Sequence, residues 1–334
     1  MKYIEAPFIL DPTDVRNRIL TDLSSTFAKD LPSRPTAATR IGVLLARKSS
    51  MAVVFRRGPS KSVAVISWDT DRDEFRLGQW LRGRIYEHRC DLSPSGQKLI
   101  YFVGAYRNPM RTWTAVSRPP FLTALLLWPK GDAWGGGGVF ENERTILLNH
   151  GARQQKLADG FEVPPTIAVS PFGEHAGHGE DEPVWSRRLE RDGWELKSQG
   201  KARENKRGSR LWIEYVERPV RVKSSGAWRL EMQLLGVKEI DGPWYVVEYR
   251  VLDDRDNVVL DLGRADWADW SPAGDLLFAR EGCLFRARTH KRSGPAQPKK
   301  LIDLRGLKFE PIGPTPEATR WGGQPVLGRL LSSG

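Results

Sequence analysis

The sequence predicts an all-β protein assembled from small antiparallel sheets. Three observations carry that expectation. A turn of the form Ser-Pro-x-Gly sits at the foot of an apolar run twice, at Asp91-Leu92-Ser93-Pro94-Ser95-Gly96 and at Asp269-Trp270-Ser271-Pro272-Ala273-Gly274. Four short β-favouring runs, separated by turn formers, fall between residues 41 and 80. The chain of 334 residues also carries 13 Trp, and large aromatic side chains favour strands and the packing of their faces.

The first segment, residues 1–38, is an exception. Asp11 can cap a helix, Pro12 suits its first turn, and Val15, Ile19, Leu23 and Phe27 recur every four residues. One amphipathic helix is expected across 11–30, stopped by Leu31-Pro32-Ser33-Arg34-Pro35. The β domain is expected over 39–310. Its first four strands are Ile41–Ala46, Met51–Arg56, Ser62–Trp68 and Glu74–Trp80. A second group follows at Ile85–Leu92, Lys98–Val103, Thr112–Ser117 and Phe121–Trp128. Residues 129–183 break the pattern as a loop-rich insertion that contains a hairpin over 139–149. Strands then return at Val184–Leu189, Trp194–Ser198, Arg210–Val216, Trp228–Leu235, Trp244–Leu252 and Val258–Leu262. Residues 266–289 repeat the Ser-Pro-x-Gly hairpin, Lys300–Phe309 adds a strand pair, and 311–334, rich in Gly, Pro and Ser, reads as an irregular tail.

Four strands in about 40 residues is the size of one blade of a propeller. In the repeated turn, Pro fixes φ at the first corner, Gly accepts positive φ, and short polar side chains bond the turn amides. The residues at 91–103 and 269–280 resemble the inner hairpins of TolB-type and WD-repeat-like propellers, in which Trp-Ser-Pro-Asp-Gly precedes an apolar strand. Leu92, Ser95 and Ala273 depart from that phrase. The resemblance implies a β-rich wheel that serves mostly as a binding platform. A looser copy at 168–173 places the three turns at 93, 170 and 271, with gaps of 77 and 101 residues. The expected fold is therefore an irregular β-propeller or propeller-like array of five to seven sheets. Two β-sandwich-like domains divided near 150–180 are the alternative.

Net charge is +11, concentrated in two stretches. Residues 187–229 hold 13 Lys and Arg against six acids, among them Arg203, Lys206 and Arg207. Interleaved Arg and Trp at Arg107, Arg111 and Trp113, and again in 187–229, suit phosphate contacts with base stacking. Alternation of inward Trp and outward Arg on a one-sided sheet gives the same pattern. Cys90 and Cys283 form no disulfide framework and read as buried free thiols. No secretory h-region and no run long enough to span a bilayer is visible, so a cytoplasmic protein without membrane insertion is expected.

Few residues point to chemistry. His175, His178 and Glu180 form the densest set of potential metal ligands, in a glycine-rich loop that fixes no geometry. His88 and Cys90 are placed two apart on one strand face, without a third member for a nucleophilic set. Trp134, Gly135 and Gly136 open a run of four glycines that lets backbone approach a ligand, yet lacks the phosphate-loop and dinucleotide spacings. No cofactor is implied. The leading expectation is a non-enzymatic intracellular interaction platform or scaffold of a bacterial-type multi-protein system, with protein partners. The alternatives are a nucleic-acid-binding protein with basic, Trp-rich faces, and a hydrolase or lyase with its site in a central channel, using His88, His150 or the 174–182 loop.

Overall fold

A computed structural model describes residues 38–332 apart from 59, 60, 108, 205–209, 291, 292 and 323–325. The helix expected at 11–30, and Lys206 and Arg207, lie outside the described residues. The rest is all-β with several small antiparallel sheets.

The first sheet is a meander of β1 (Arg40–Leu45), β2 (Met51–Arg57), β3 (Ser62–Asp69) and β4 (Glu74–Arg82). The second joins β5 (Arg84–Ile85), β6 (Asp91–Leu92), β7 (Leu99–Gly104), β8 (Thr112–Ser117) and β9 (Leu126–Pro129). In the third, β10 (Gly138–Phe140) pairs antiparallel with β11 (Thr145–Leu148), which pairs parallel with β12 (Ala168–Pro171). Helix α1 (Glu182–Arg191) follows. The fourth sheet is the largest: β13 (Glu195–Ser198), β14 (Lys201–Glu204), β15 (Leu211–Glu217), β16 (Val220–Ser225), β17 (Trp228–Glu239), β18 (Tyr245–Leu252) and β19 (Val258–Arg264). The fifth contains β20 (Trp267–Trp270), β21 (Leu276–Arg280) and β22 (Cys283–Ala287). The ribbon β23 (Thr289–His290) with β24 (Gly294–Pro295) precedes β25 (Lys299–Asp303), the last strand of that fifth sheet. Finally β26 (Arg329–Leu331) returns to pair with β4.

Strands β3, β7 and β8 are buried on both faces, which explains why β3 and β7 read as nearly unbroken apolar runs. Alternation divides each strand between two cores. Leu99, Tyr101 and Val103 of β7 face Val53 and Phe55 of the first sheet. Their neighbour Ile100 faces Phe140, Ile146 and Leu148 of the third. From the first sheet, Ile41, Val43 and Ile66 pack on Leu277, Ala279 and Leu284 of the fifth. The fifth in turn packs Trp270, Leu276 and Phe278 against Leu230, Tyr249 and Val251 of the fourth, with Trp185 of α1 joining that core. Each apolar side chain buried in this way stabilises by roughly 1.5–3 kcal/mol.

Both Ser-Pro-x-Gly turns form, with one hydrogen-bond scheme. Gly96 N–H donates to the Ser93 carbonyl at 2.8 Å, and Gly274 N–H to that of Ser271 at 2.9 Å. The Ser93 hydroxyl accepts from Lys98 N–H and the Ser271 hydroxyl from Asp275 N–H. Gly96 and Gly274 take φ of +78° and +86°, which a side chain rarely adopts. The middle copy differs. Ala168–Pro171 is a parallel edge strand rather than the foot of a hairpin, because its partner β11 precedes it.

Several boundaries also differ from expectation. Val184–Leu189 lies in a helix, since Pro183 opens it and Trp185 and Leu189, four apart, share the apolar face. Ile85–Leu92 is broken by a 3₁₀ turn at Glu87–Arg89, so His88 and Cys90 do not share a strand face. The tail is not wholly irregular, as β26 becomes the fifth strand of the first sheet. Among the described residues, no helix is long and apolar enough to cross a membrane.

Without β26, the backbone of β4 loses its outer partner. Removing residues 328–334 is expected to speed amide hydrogen exchange of β4 by about tenfold or more, equivalent to about 1.4 kcal/mol. Exchange mass spectrometry reads this; unchanged exchange at Phe75 and Leu77 would contradict the role given to β26.

Candidate functional site

Inner parts of the first, second, fourth and fifth sheets, together with α1, line an open cavity of about 1020 Å³. Strand β1 and its flanks line it continuously from Ala38 to Arg47. The lining includes the aromatic side chains Trp185, Trp194, Tyr245, Tyr249 and Trp267. Such a mixture of apolar walls and a few fixed polar groups is typical of ligand sites.

Arg188 and Arg191 line the α1 side of this wall, and Arg89 stands behind it. Arg89 is 2% exposed. Its Nε donates to Asp181 at 2.5 Å and its Nη1 to the carbonyls of Ala133 and Gly135, while its guanidinium lies over the Tyr86 and Phe102 rings. Arg188 donates to the carbonyls of Glu87 and Cys90. Arg191 makes a two-pronged pair with Asp91 at 2.6 and 2.9 Å, and also donates to Asp192 and to the Phe140 carbonyl. Asp91 completes the link by accepting Phe140 N–H. The helix is thereby tied to the second and third sheets by its polar face and to the fourth and fifth by Trp185.

Other titratable groups in the wall are also engaged. Lys223 pairs with Asp269 at 2.7 Å; burial still pushes the Asp269 carboxyl up. Asp266 accepts Ile41 N–H at 3.1 Å, and burial raises its pKa to about 6 against the pull of that bond and of Arg40. His88 stands against the rings of Trp185 at 4.3 Å and Tyr245 at 5.0 Å, and burial lowers its pKa. The Cys90 thiol donates to the Tyr86 carbonyl and burial pushes it far up, so it is no ready nucleophile. His150 is fully buried away from this cavity, held between the Thr114 hydroxyl and the Gln154 carbonyl.

The residues singled out from sequence fall elsewhere. Trp134 is exposed, but Gly135 and Gly136 are buried for packing reasons. A Cβ on Gly136 would stand 2.4 Å from the Phe102 ring, and one on Gly135 would stand 2.5 Å from the Gly177 carbonyl. The glycine run therefore brings loop backbone against the second sheet and Arg89. Arg107 and Arg111 are exposed, whereas Trp113 is 2% exposed and offers no stacking face. Arg203 is exposed on β14 and pairs with Glu214 at 2.9 Å. His175, His178 and Glu180 are exposed, with the two imidazole rings 6.4 Å apart. Among the described residues, no group of three His, Cys, Asp or Glu side chains is placed to hold a metal ion. Sequence reasoning missed the cavity wall, apart from His88. The Arg188/Arg191 spacing within a Pro-initiated helix was the one available signal.

No family model matches the chain, and no curated protein matches it. Among solved structures, an uncharacterized protein from Listeria monocytogenes EGD-e is similar over 82% of this chain and 97% of its own, at 8% identity and a TM-score of 0.36. A likeness at that level carries no argument about function.

Removing one partner of a buried ion pair strands the other charge. Asp181→Ala is expected to destabilise the protein by about 3–5 kcal/mol in urea titrations, and Asp181→Asn by less because it keeps an acceptor. A pH effect is expected at His150. Burial pushes its pKa down to about 4, against about 6.5 for the unfolded chain. Its contribution is present above pH 6.5 and is lost as pH falls towards 4, by roughly 3 kcal/mol. Denaturation at a series of pH values should show that decline, and His150→Gln should flatten it.

Proposed function

We propose that this chain is a non-enzymatic interaction platform, of an irregular propeller-like design, within a bacterial-type multi-protein assembly. The central cavity is its binding site. The observation that carries this reading is that four sheets and α1 contribute to one cavity in which several charged side chains are already held in ion pairs. Arg191 with Asp91 and Lys223 with Asp269 hold the wall in shape, and Arg89 behind it holds Asp181, rather than waiting on a substrate. The propeller design is supported by the packing of the first sheet on both the second and the fifth, and by the two matching Ser-Pro-x-Gly hairpins.

Ser224 is exposed and lies at the mouth of the cavity. Ser224→Trp should obstruct entry while leaving the melting temperature unchanged. Affinity purification with quantitative mass spectrometry should recover a partner with the parent protein and lose it with the variant. Equal recovery with both would overturn the assignment of the cavity.

One observation favours nucleic acid as a second reading. Trp212, 56% exposed, lies 6.5 Å from Trp244, and the Lys238 ammonium sits 4.8 Å from the Trp212 ring. Exposed aromatic and cationic groups of this kind suit single strands. Binding to a fluorescent oligonucleotide should then fall steeply with salt and drop on Trp212→Ala. Absence of binding at low salt removes this reading.

A further inference from the structure

We infer that the cavity receives an extended peptide segment of a partner protein, which adds as a strand to the inner edge of β1. The inference rests on the platform reading above and names its ligand.

Among the described residues, strand β1 ends the order of its sheet and pairs only with β2. In an antiparallel pair, successive residues alternate between bonding the partner and presenting N–H and C=O to the opposite edge. The phase is fixed here at both ends. Ala46 N–H donates to Met51 of β2 at 2.8 Å. Ile41 N–H instead points to the other edge, where it meets the Asp266 carboxylate. Residues 42, 44 and 46 therefore bond β2. Val43 and Leu45 present both backbone groups to the cavity, which β1 lines throughout.

Such an edge is a template for another strand. Six residues of β1 span about 20 Å, and an added strand would lie roughly 4.8 Å away. Asp266, already occupying Ile41 N–H, marks where the added pairing stops. Charge favours a peptide over an ion. Arg57 and Glu87 stand 3.7 Å apart near Arg40 at one end of β1, and Arg191 is paired with Asp91 near Arg47 at the other, so each end carries both signs. Amide groups, which donate and accept in equal number, suit such a lining. The aromatic side chains of the same cavity, Trp185, Trp194, Tyr245 and Tyr249, would take apolar side chains at alternate positions.

A displayed library of random nine-residue peptides, selected against the full chain, supplies the probe. The expected result is peptides with alternating apolar residues. N-methylation of their backbone should weaken binding at least tenfold in one phase of the alternation and little in the other. Val43→Pro removes the cavity-facing N–H without touching a bond to β2, and an edge strand tolerates proline there. It should abolish binding, whereas Val43→Ala, which shares the loss of side-chain packing, should retain it within a few-fold. Peptides that bind equally with Val43→Pro and Val43→Ala, or with either methylation phase, would overturn strand addition while leaving the platform reading intact. Failure to select any peptide, or saturable binding of maltotriose instead, would overturn the peptide assignment outright.

Discussion

The wall of the cavity depends on one buried and two half-buried guanidinium groups. Arg89, Arg188 and Arg191 join a 3₁₀ turn, a glycine-rich loop and helix α1, none of which shares a hydrogen-bonded ladder with another. Sheets hold their own strands together through backbone pairing, but nothing in that pairing fixes a helix between two sheets. Here planar forks do so, each bonding two or more acceptors in fixed directions. The arrangement costs desolvation, which carboxylates and carbonyls offset only when every prong is engaged. Arg89 engages Asp181 through Nε, two carbonyls through Nη1, and two aromatic rings through its face. The interaction is thus one of shape: it sets how far α1 stands from the second sheet, and so the width of the space behind it.

Much of the fold was legible because strand length and turn chemistry are local. The first four strands fall within two residues of their expected limits. The Ser-Pro-x-Gly turns could be read because Gly with positive φ and a hydroxyl acceptor are needed within five residues of each other. What escaped was non-local. Val184–Leu189 looks like a strand by its apolar residues, and only its burial against the fourth sheet makes the helical face pay off. β26 has no local mark at all, being held by a β4 edge far away in sequence. The cavity escaped for the same reason. Its lining comes from segments spread between Ala38 and Glu281, and no short motif encodes it.

The glycine run at 135–138 illustrates how one composition can serve opposite ends. Exposed, such a run would give a ligand loop; buried, it lets two backbones approach where a methyl group would collide. The same distinction applies to tryptophan. Trp113 is sealed in a core, while Trp212 stands in solvent, although both lie among arginines in sequence. Residue type and spacing gave the vocabulary of these sites, and burial decided their meaning.

Strand β26 has a consequence for the order of assembly. The edge of β4 is complete by residue 82, yet its partner begins at residue 329. During synthesis the first sheet therefore waits, with one side open, while almost every other element is made. Closing so long a loop is slow relative to local hairpins. The waiting edge does not distinguish the tail of its own chain from the tail of a neighbour, since both offer the same residues. Dilution favours the first and crowding the second, so the protein's aggregation state on refolding becomes a matter of concentration as much as of sequence.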